Sequence, residues 1–335
     1  MSSPAVRNRT DGLLELVGTP GETETWIQTS IIYLIEGALV TIASLPLFIV
    51  VALNASLREQ KEYVIFAALS LANGLFGIGY ILGGGIRLPI LLNGDGHVLT
   101  SGWSCYTRYY NLIYVYAAPL VASMNLIVSV DRLLAIFIPF RYFAFTNRYA
   151  FRLVGFAYAY HIIPAVVGGC ISYQYYQEPK QPAYCTLYMG TSTAFIDYYN
   201  YHRVGFSIVT ILLYIPMMIQ IKSVTNGARG LSDMEKLRRI KSVTVTVFIT
   251  AIFTVLSIIP TLTSILNVKV NGTTTYFYYI LPQINGLVNS VIYTMRYKDL
   301  RTATFNLFLC RLKKATGPIA SSVHPIPSFG PTAIR

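Results

Sequence analysis

Runs of about twenty apolar residues recur along this chain, and they constrain its fold more than any other feature. Of its 335 residues, 54% are hydrophobic and only 12% are charged, whereas a soluble domain carries about a quarter charged residues. A helix of about twenty residues crosses the hydrocarbon core of a bilayer, which is about 30 Å thick. The sequence therefore predicts a polytopic membrane protein with seven apolar runs, at Ile31–Leu53, Tyr63–Leu82, Tyr109–Phe137, Phe151–Tyr173, Val204–Ile221, Val243–Leu266 and Tyr276–Met295.

These runs are predicted to be helices, because a segment that spans lipid must satisfy its own backbone hydrogen bonds. The fold class is therefore all-α, an integral membrane seven-helix bundle. Gly74, Gly77 and Gly79 lower the helix propensity of the second run, but small residues also let membrane helices approach closely. The predicted divisions are an amino-terminal segment (1–30), the seven-helix domain (31–295), a basic amphipathic segment (296–316) and a disordered tail rich in Pro and Ser (317–335).

The net charge of +12 is not spread evenly along the chain. The intervening loops hold few basic residues, chiefly Arg87, Arg108, Lys180, Arg203 and Lys269. Lys and Arg gather instead in alternate loops, at Arg58 and Lys61, within Arg141–Arg152, within Lys222–Lys241 and from Arg296 onward. The positive-inside rule places these loops in the cytoplasm and the amino terminus outside. We therefore interpret the charge as a topology signal and expect a lipid bilayer, not nucleic acid, as the partner. Residues 1–30 contain no apolar core of signal-peptide type, so no cleaved signal is expected.

This topology decides which sequons and cysteines can be modified. Asn8 and Asn271 begin sequons on the outer side and are predicted glycosylation sites, whereas Asn54 begins one that faces the cytoplasm and should stay bare. Cys105 and Cys185 both fall in outer loops, where oxidation is permitted. A disulfide between them would hold the loop after the fourth helix over the bundle.

The other two cysteines have different surroundings. Cys170 lies within the fourth run and is expected to be a small buried hydrophobic residue. Cys310 follows the amphipathic stretch Lys298–Leu309 and precedes further basic residues. That context predicts reversible palmitoylation at the membrane surface.

An Asp131-Arg132 pair ends the third run, and ionisable residues at membrane depth usually mark function. Seven helices, an outer amino terminus and this pair together resemble the rhodopsin-like G-protein-coupled receptors. The end of helix seven agrees, since Asn289 and Tyr293 are similar to the family's Asn-Pro-x-x-Tyr with Ser290 in place of the proline.

Other helices carry further resemblances. Asn73 follows Leu69 by four residues, where the family has aspartate, and Pro260 matches the kink-forming proline of helix six. The basic amphipathic stretch after helix seven resembles the family's short eighth helix. The chain is closer still to the nematode serpentine chemoreceptors, which it resembles in the run Asp131–Tyr142, in its degenerate helix six and in its 26 tyrosines.

The chain also departs from the rhodopsin-like pattern. The family's tryptophan in helix six aligns with Ile258, so this chain lacks the aromatic ring of the family's usual rotamer switch. Asn73 offers a neutral amide where a sodium site needs an acid, so sodium-dependent inhibition is not expected. The helix-six acid that often holds the helix-three arginine aligns with Ile240. We therefore expect Arg132 to be restrained chiefly by Asp131.

The resemblance implies a plasma-membrane receptor, which could be located in a sensory cilium. The receptor would activate a heterotrimeric G protein and would need no cofactor. Its coupling switch would comprise Asn73, Asp131, Arg132, Pro260, Asn289 and Tyr293.

The ligand is expected in the outer half of the bundle, at Tyr114, Tyr279 and Gln283. The family's amine receptors have aspartate where Tyr114 stands, and opsins have the retinal lysine where Gln283 stands, so neither ligand is expected. Tyrosine, amide and aliphatic side chains suit a small neutral or weakly polar compound. A peptide ligand is the alternative within the same fold.

Two other classes of protein are less consistent with the sequence. An enzyme would need paired catalytic groups inside the helices, but the four histidines are scattered and show no metal-ligand spacing. Transporters often contain internal repeats with matching broken helices. No such symmetry is visible here, although a multi-pass transporter or a ligand-gated channel remains the rival from a different class.

Overall fold

The computed structural model describes residues 6–10, 12–17, 21–227, 248–263, 265–266 and 272–309. These residues are mainly helical. The helices are α1 (Glu22–Leu53), α2 (Ala55–Arg58), α3 (Lys61–Leu92), α4 (Gly102–Tyr106), α5 (Tyr109–Phe137), α6 (Pro139–Ala144), α7 (Asn147–Tyr160), α8 (Ile162–Tyr173), α9 (Thr193–Gly227), α10 (Phe248–Thr263), α11 (Gly272–Arg296) and α12 (Lys298–Phe308).

Two small antiparallel sheets lie in the connections. Strand β1 (Val6–Asn8) pairs with β2 (Leu14–Leu16), and β3 (Leu99–Ser101) pairs with β4 (Pro179–Pro182).

Five described segments are long and apolar enough to cross a membrane: α1, α3, α5, α7 continued by α8, and α9. The apolar helix α10 is shorter, and α11 has 25 residues. Large apolar side chains face outward from the bundle, including Ile35, Ile42 and Ile219, which are 58%, 61% and 65% exposed. Such side chains are stable in lipid and costly in water. The predicted all-α membrane bundle is confirmed.

Several helices extend past the apolar runs that predicted them. Helix α1 begins at Glu22, inside the predicted amino-terminal segment, α3 continues to Leu92, and α9 begins at Thr193. An apolar run marks only the part of a helix that lies in hydrocarbon, so the sequence underestimates helix length.

The fourth span is divided at His161, between α7 and α8. Pro164 has no N–H to donate to the carbonyl of Tyr160, which interrupts the ladder there. Only 17% of the most apolar stretch of this span is buried inside the bundle. The predicted burial of Cys170 is wrong, because its side chain is exposed on α8. The span packs against the bundle along a narrow stripe, and Cys170 lies outside that stripe.

Helices α1 and α3 cross with their backbones in contact. A Cβ atom on Gly37 would lie 2.6 Å from the carbonyl oxygen of Gly77, and one on Gly84 would lie 2.4 Å from the carbonyl oxygen of Ser30. Real side chains do not tolerate such distances, so glycine is required at this crossing. The glycines that weakened the predicted second helix therefore form its packing surface.

At one end of the bundle, Cys105 and Cys185 form the predicted disulfide. We call this the disulfide end. The guanidinium of Arg87, on α3, is buried there and donates to the carbonyl oxygens of Tyr184 and Cys185 at 3.1 and 3.0 Å. The Tyr110 hydroxyl donates to the Cys185 carbonyl oxygen at 3.0 Å. The loop before α9 is thus attached to both α3 and α5.

Helix α12 follows α11 directly and is amphipathic. Leu300 and Thr304 are buried, whereas Phe305 and Phe308 are 63% and 60% exposed. The predicted short eighth helix is therefore present. Cys310, its predicted palmitoylation site, and the predicted disordered tail lie outside the described residues, as does Asn271.

Candidate functional site

Arg132 lies near the end of α5 opposite the disulfide end, which we call the arginine end. Its side chain is only 16% exposed. Its Nη1 lies 3.3 Å from Oε2 of Glu62, and its Nη2 donates to the Tyr297 hydroxyl at 2.6 Å. Its Cζ lies 4.7 Å from the ring centroid of Phe66. An acid of α3, a phenol just after α11 and an aromatic face together hold the guanidinium.

The expectation that Asp131 chiefly restrains Arg132 is wrong. Asp131 is 2% exposed, and its two carboxylate oxygens accept from the Tyr142 hydroxyl at 3.1 and 3.0 Å. Successive side chains on a helix point about 100° apart. The carboxylate therefore faces α6, while the guanidinium of Arg132 faces α3 and α11.

Tyr142 is itself held in place. The ammonium group of Lys61 donates to the Tyr142 carbonyl oxygen and lies 3.7 Å from the centre of its ring. Burial, and then the nearby charge of Asp131, raise the pKa of the Tyr142 hydroxyl above its ordinary value. The hydroxyl therefore stays protonated and donates to Asp131.

Tyr293, on α11, is linked to the arginine site through Phe66. Its ring stacks on that of Phe66, with centroids 4.1 Å apart, and Phe66 also contacts Arg132. The predicted switch residue Tyr293 and the arginine thus share one aromatic neighbour.

One turn before Tyr293, a cluster of amides crosses the bundle. The Nδ2 atom of Asn289 lies 3.3 Å from Oδ1 of Asn125 and 3.4 Å from Oδ1 of Asn285. Asn73 is buried beside α11, where a Cβ on Gly286 would lie 2.9 Å from its Oδ1. The predicted switch residues Asn73 and Asn289 therefore lie close together, with Asn125 added by the structure.

A cavity adjoins this cluster, between α3, α5, α9, α10 and α11. Its empty volume is about 440 Å³, including the part open to its surroundings. Phe76, Val121 and Ile258 supply apolar walls. Its polar lining consists of Asn125, Arg203, Ser207, Ser257, Thr261 and Asn285. Ile258 stands where the family's tryptophan would be, so part of this space lies beside the missing ring.

Two of the predicted ligand residues, Tyr114 and Gln283, are not among the described residues that line this cavity. Tyr114 is 8% exposed and packs edge-on against Tyr80, with ring centroids 5.3 Å apart. Gln283 is 3% exposed and follows Pro282, which does line the cavity. The side chain of Tyr279 lies outside the described residues. Ligand contact by these three residues stays a prediction.

Three other predicted residues, Pro260, Asn8 and Asn54, lie in the part of the chain that the structure describes. Pro260 is in α10, and its carbonyl oxygen accepts from the Thr263 hydroxyl at 2.9 Å. Asn8 is exposed on β1, as a glycan would require. Asn54 accepts from the backbone N–H of Ser56 at 3.2 Å and caps α2.

Sequence reasoning missed Glu62, Tyr297 and Arg203. Glu62 and Tyr297 are distant from Arg132 along the chain, so no spacing links them. Arg203 was assigned to an outer loop because it directly precedes the fifth apolar run. Its separation of four residues from Ser207, which puts both on one helix face, could have revealed it.

A membrane bundle with a central cavity, and with an arginine held at one end of its third spanning helix, has the architecture of a seven-transmembrane receptor. A sequence model described as the serpentine type seven-transmembrane G-protein-coupled chemoreceptor Srsx matches residues 39–308. The chain belongs to this family, as the resemblance to nematode serpentine chemoreceptors predicted. The comparison with curated proteins finds no match to the chain.

Proposed function

We propose that this protein is a chemoreceptor that binds a small molecule in the cavity and activates a heterotrimeric G protein through Arg132. One observation carries the proposal. Asn125 and Asn285 line the cavity, and both are in contact with Asn289. A ligand that touches either amide would therefore perturb the cluster from which α11 continues to Tyr293.

The second half of the path runs from Tyr293 to Arg132. Tyr293 stacks on Phe66, and Phe66 contacts the guanidinium. In the proposed mechanism, ligand binding moves α11 against α3 and separates Arg132 from Tyr297 and Glu62. Hydrogen bonds to charged groups contribute about 1.5–3 kcal/mol each. A ligand that favours the open state by a few kcal/mol would therefore shift the population by orders of magnitude.

Arginine is well suited to the active state, in which its side chain is released from Tyr297 and Glu62. A guanidinium is weakly hydrated, stays charged and can bond several carbonyl oxygens at once. It can therefore pack against a partner helix in a cavity that excludes water. Lysine would pay a larger desolvation cost and offer no planar fork.

The proposed orientation puts the arginine end in the cytoplasm and the amino terminus outside the plasma membrane. Four arginines lie in the helices near the arginine end: Arg58 in α2, Arg141 in α6, and Arg148 and Arg152 in α7. The positive-inside rule supports this arrangement. Glycans on Asn8 and Asn271 and a palmitoyl group on Cys310 are part of the same proposal.

The cavity supports a small molecule over a peptide, because it lies between five helices of the bundle, a usual place for a small-molecule pocket. No observation among the described residues favours a transporter or a channel.

The test is to express the chain in cells with a promiscuous G protein and to screen a chemical panel. Arg132→Ala should abolish the ligand-evoked signal and leave surface expression intact, because Arg132 would contact the G protein. Arg152→Ala, an exposed arginine on α7, is the matched control and should signal normally. Full signalling by Arg132→Ala would refute the assigned role. A ligand-evoked current without any G protein would indicate a channel instead.

A further inference from the structure

Arg203 projects into the cavity from α9. Its side chain is half-buried, and withdrawing a charged group from water is unfavourable unless the group is paired. Among the described residues, no carboxylate lies within ion-pair distance of Arg203. The basic residues that do form ion pairs in the described part of the chain are Arg7, Arg9, Arg132 and Lys180. The cavity therefore contains a cation that no described acid neutralises.

The side chains around Arg203 on its own helix do not supply a counter-charge. Its Cζ lies 5.5 Å from the ring centroid of Tyr199, one turn earlier. Tyr199 is buried, and its hydroxyl donates to the carbonyl oxygen of Tyr114 at 3.1 Å. Asp197 is exposed and lies about 240° around the helix from Arg203, given 100° per residue.

Glu36, on α1, is a further acid within the spanning helices. Its Oε2 is buried and has no hydrogen-bond partner among the described residues. It does not line the cavity, and among the described residues no ion pair joins it to Arg203.

The rest of the lining suits an anion with an apolar body. Ser207 lies one turn after Arg203, and Thr261 on α10 lines the same cavity, so two hydroxyls can donate beside the guanidinium. A guanidinium binds a carboxylate through two parallel hydrogen bonds. Phe76, Val121 and Ile258 can cover an aliphatic or aromatic chain.

We propose that the ligand is a small organic acid whose carboxylate pairs with Arg203. This inference rests on the proposed receptor function and names the ligand class for its cavity. It replaces the neutral compound expected from Tyr114 and Gln283, because the sequence had placed Arg203 in a loop. An ion pair with Arg203 would add affinity for the acid, and a neutral analogue of the same shape would lack it.

The experiment uses the purified full-length receptor and straight-chain, phenyl and indolyl carboxylic acids, each with its matched primary amide. Thermal stability is measured with each compound at about 1 mM, which detects dissociation constants in the millimolar range and tighter. At least one acid should stabilise the wild type, and its amide should bind about tenfold or more weakly, as the loss of a charge-assisted hydrogen bond requires. A panel in which no acid stabilises the receptor overturns the proposal.

The variant Arg203→Gln should abolish stabilisation by the acid and leave the weak effect of the amide unchanged. Arg203→Lys keeps the charge without the fork and should give an intermediate affinity, which also covers a failure of the glutamine variant to fold. Arg108→Gln, at the start of α5 and away from the cavity, is the matched control and should bind like wild type. Equal acid binding by Arg203→Gln would show that this arginine only extends toward the membrane surface.

The same compounds are then tested for G-protein signalling in cells. Acids that bind but never signal would contradict the proposed receptor function and leave the ligand class standing. Signalling by neutral compounds alone, unaffected in Arg203→Gln, would overturn the ligand class and leave the receptor function standing.

Discussion

At the scale of single residues, the described contacts of Arg132 place the proposed restraint on signalling in α3, the second spanning helix. Its hydrogen bonds go to Glu62 and to Tyr297. The family often places the holding acid on helix six, where this chain has Ile240. Glu62 supplies that charge from the start of α3.

Glu62→Gln should therefore raise ligand-free signalling, because it removes the charge that pairs with Arg132. The Glu62 side chain is 34% exposed, so screening reduces the interaction to about 1 kcal/mol. That corresponds to about a fivefold rise in the ratio of active to inactive receptor. Basal G-protein activity, normalised to surface expression, measures the effect.

Glu59→Gln is the matched control, since Glu59 is exposed at the end of α2 and three residues away. It should leave basal activity unchanged. Equal basal activity in the two variants would contradict a specific role for Glu62.

Some of these residues could be found from the sequence, and others could not. Arg132, Asn289 and Tyr293 were found because their neighbours along the chain form motifs with fixed spacing. Arg203 was missed although its four-residue spacing from Ser207 was a local signal. Glu62 matters through a contact between distant helices, and a single sequence carries no signal for such a contact. The wrong assignment of Asp131 had the same cause, because adjacency in sequence was taken for contact.

At the scale of the helix, α1 and α3 can cross this closely only because the glycines at the crossing have no side chain. A Cβ on Gly77 would lie 2.5 Å from Oγ1 of Thr41 and 2.9 Å from the Gly37 carbonyl oxygen. Helix propensity alone would favour alanine at position 77 by about 1 kcal/mol. Packing and propensity therefore predict opposite effects of one substitution.

Gly77→Ala should destabilise the receptor by about 1–3 kcal/mol, because the added methyl group must displace backbone atoms. Thermal unfolding of the purified receptor, together with surface expression, measures this loss. Gly205→Ala is the matched control, because a Cβ there would meet nothing within 4 Å. It should be neutral or slightly stabilising, and a similar loss in both variants would contradict the packing argument.

The number and order of the spanning helices were predictable, because hydrophobicity over about twenty residues reports directly on burial in lipid. The ends of the helices were not, since Leu92 and Thr193 lie outside the hydrocarbon-length runs. The break at His161 was also missed, although Pro164 gave a local reason for it.

At the scale of the whole molecule, glycosylation tests the proposed orientation of the bundle. Removal of N-glycans should increase the gel mobility of the wild-type chain, and Asn8→Gln should reduce that shift, because Asn8 would lie outside the cell. Asn54→Gln should have no effect, since Asn54 would face the cytoplasm. A shift that disappears only in Asn54→Gln would invert the bundle.

The close crossing of α1 and α3 has a consequence for motion. Two helices whose backbones touch cannot slide past each other without collision, so this pair forms an immobile half of the receptor. The loop fixed by Arg87 and the disulfide belongs to the same half. Displacement on activation therefore falls to helices outside this pair, and amide hydrogen exchange should quicken in α9, α10 and α11 while α1 and α3 stay protected.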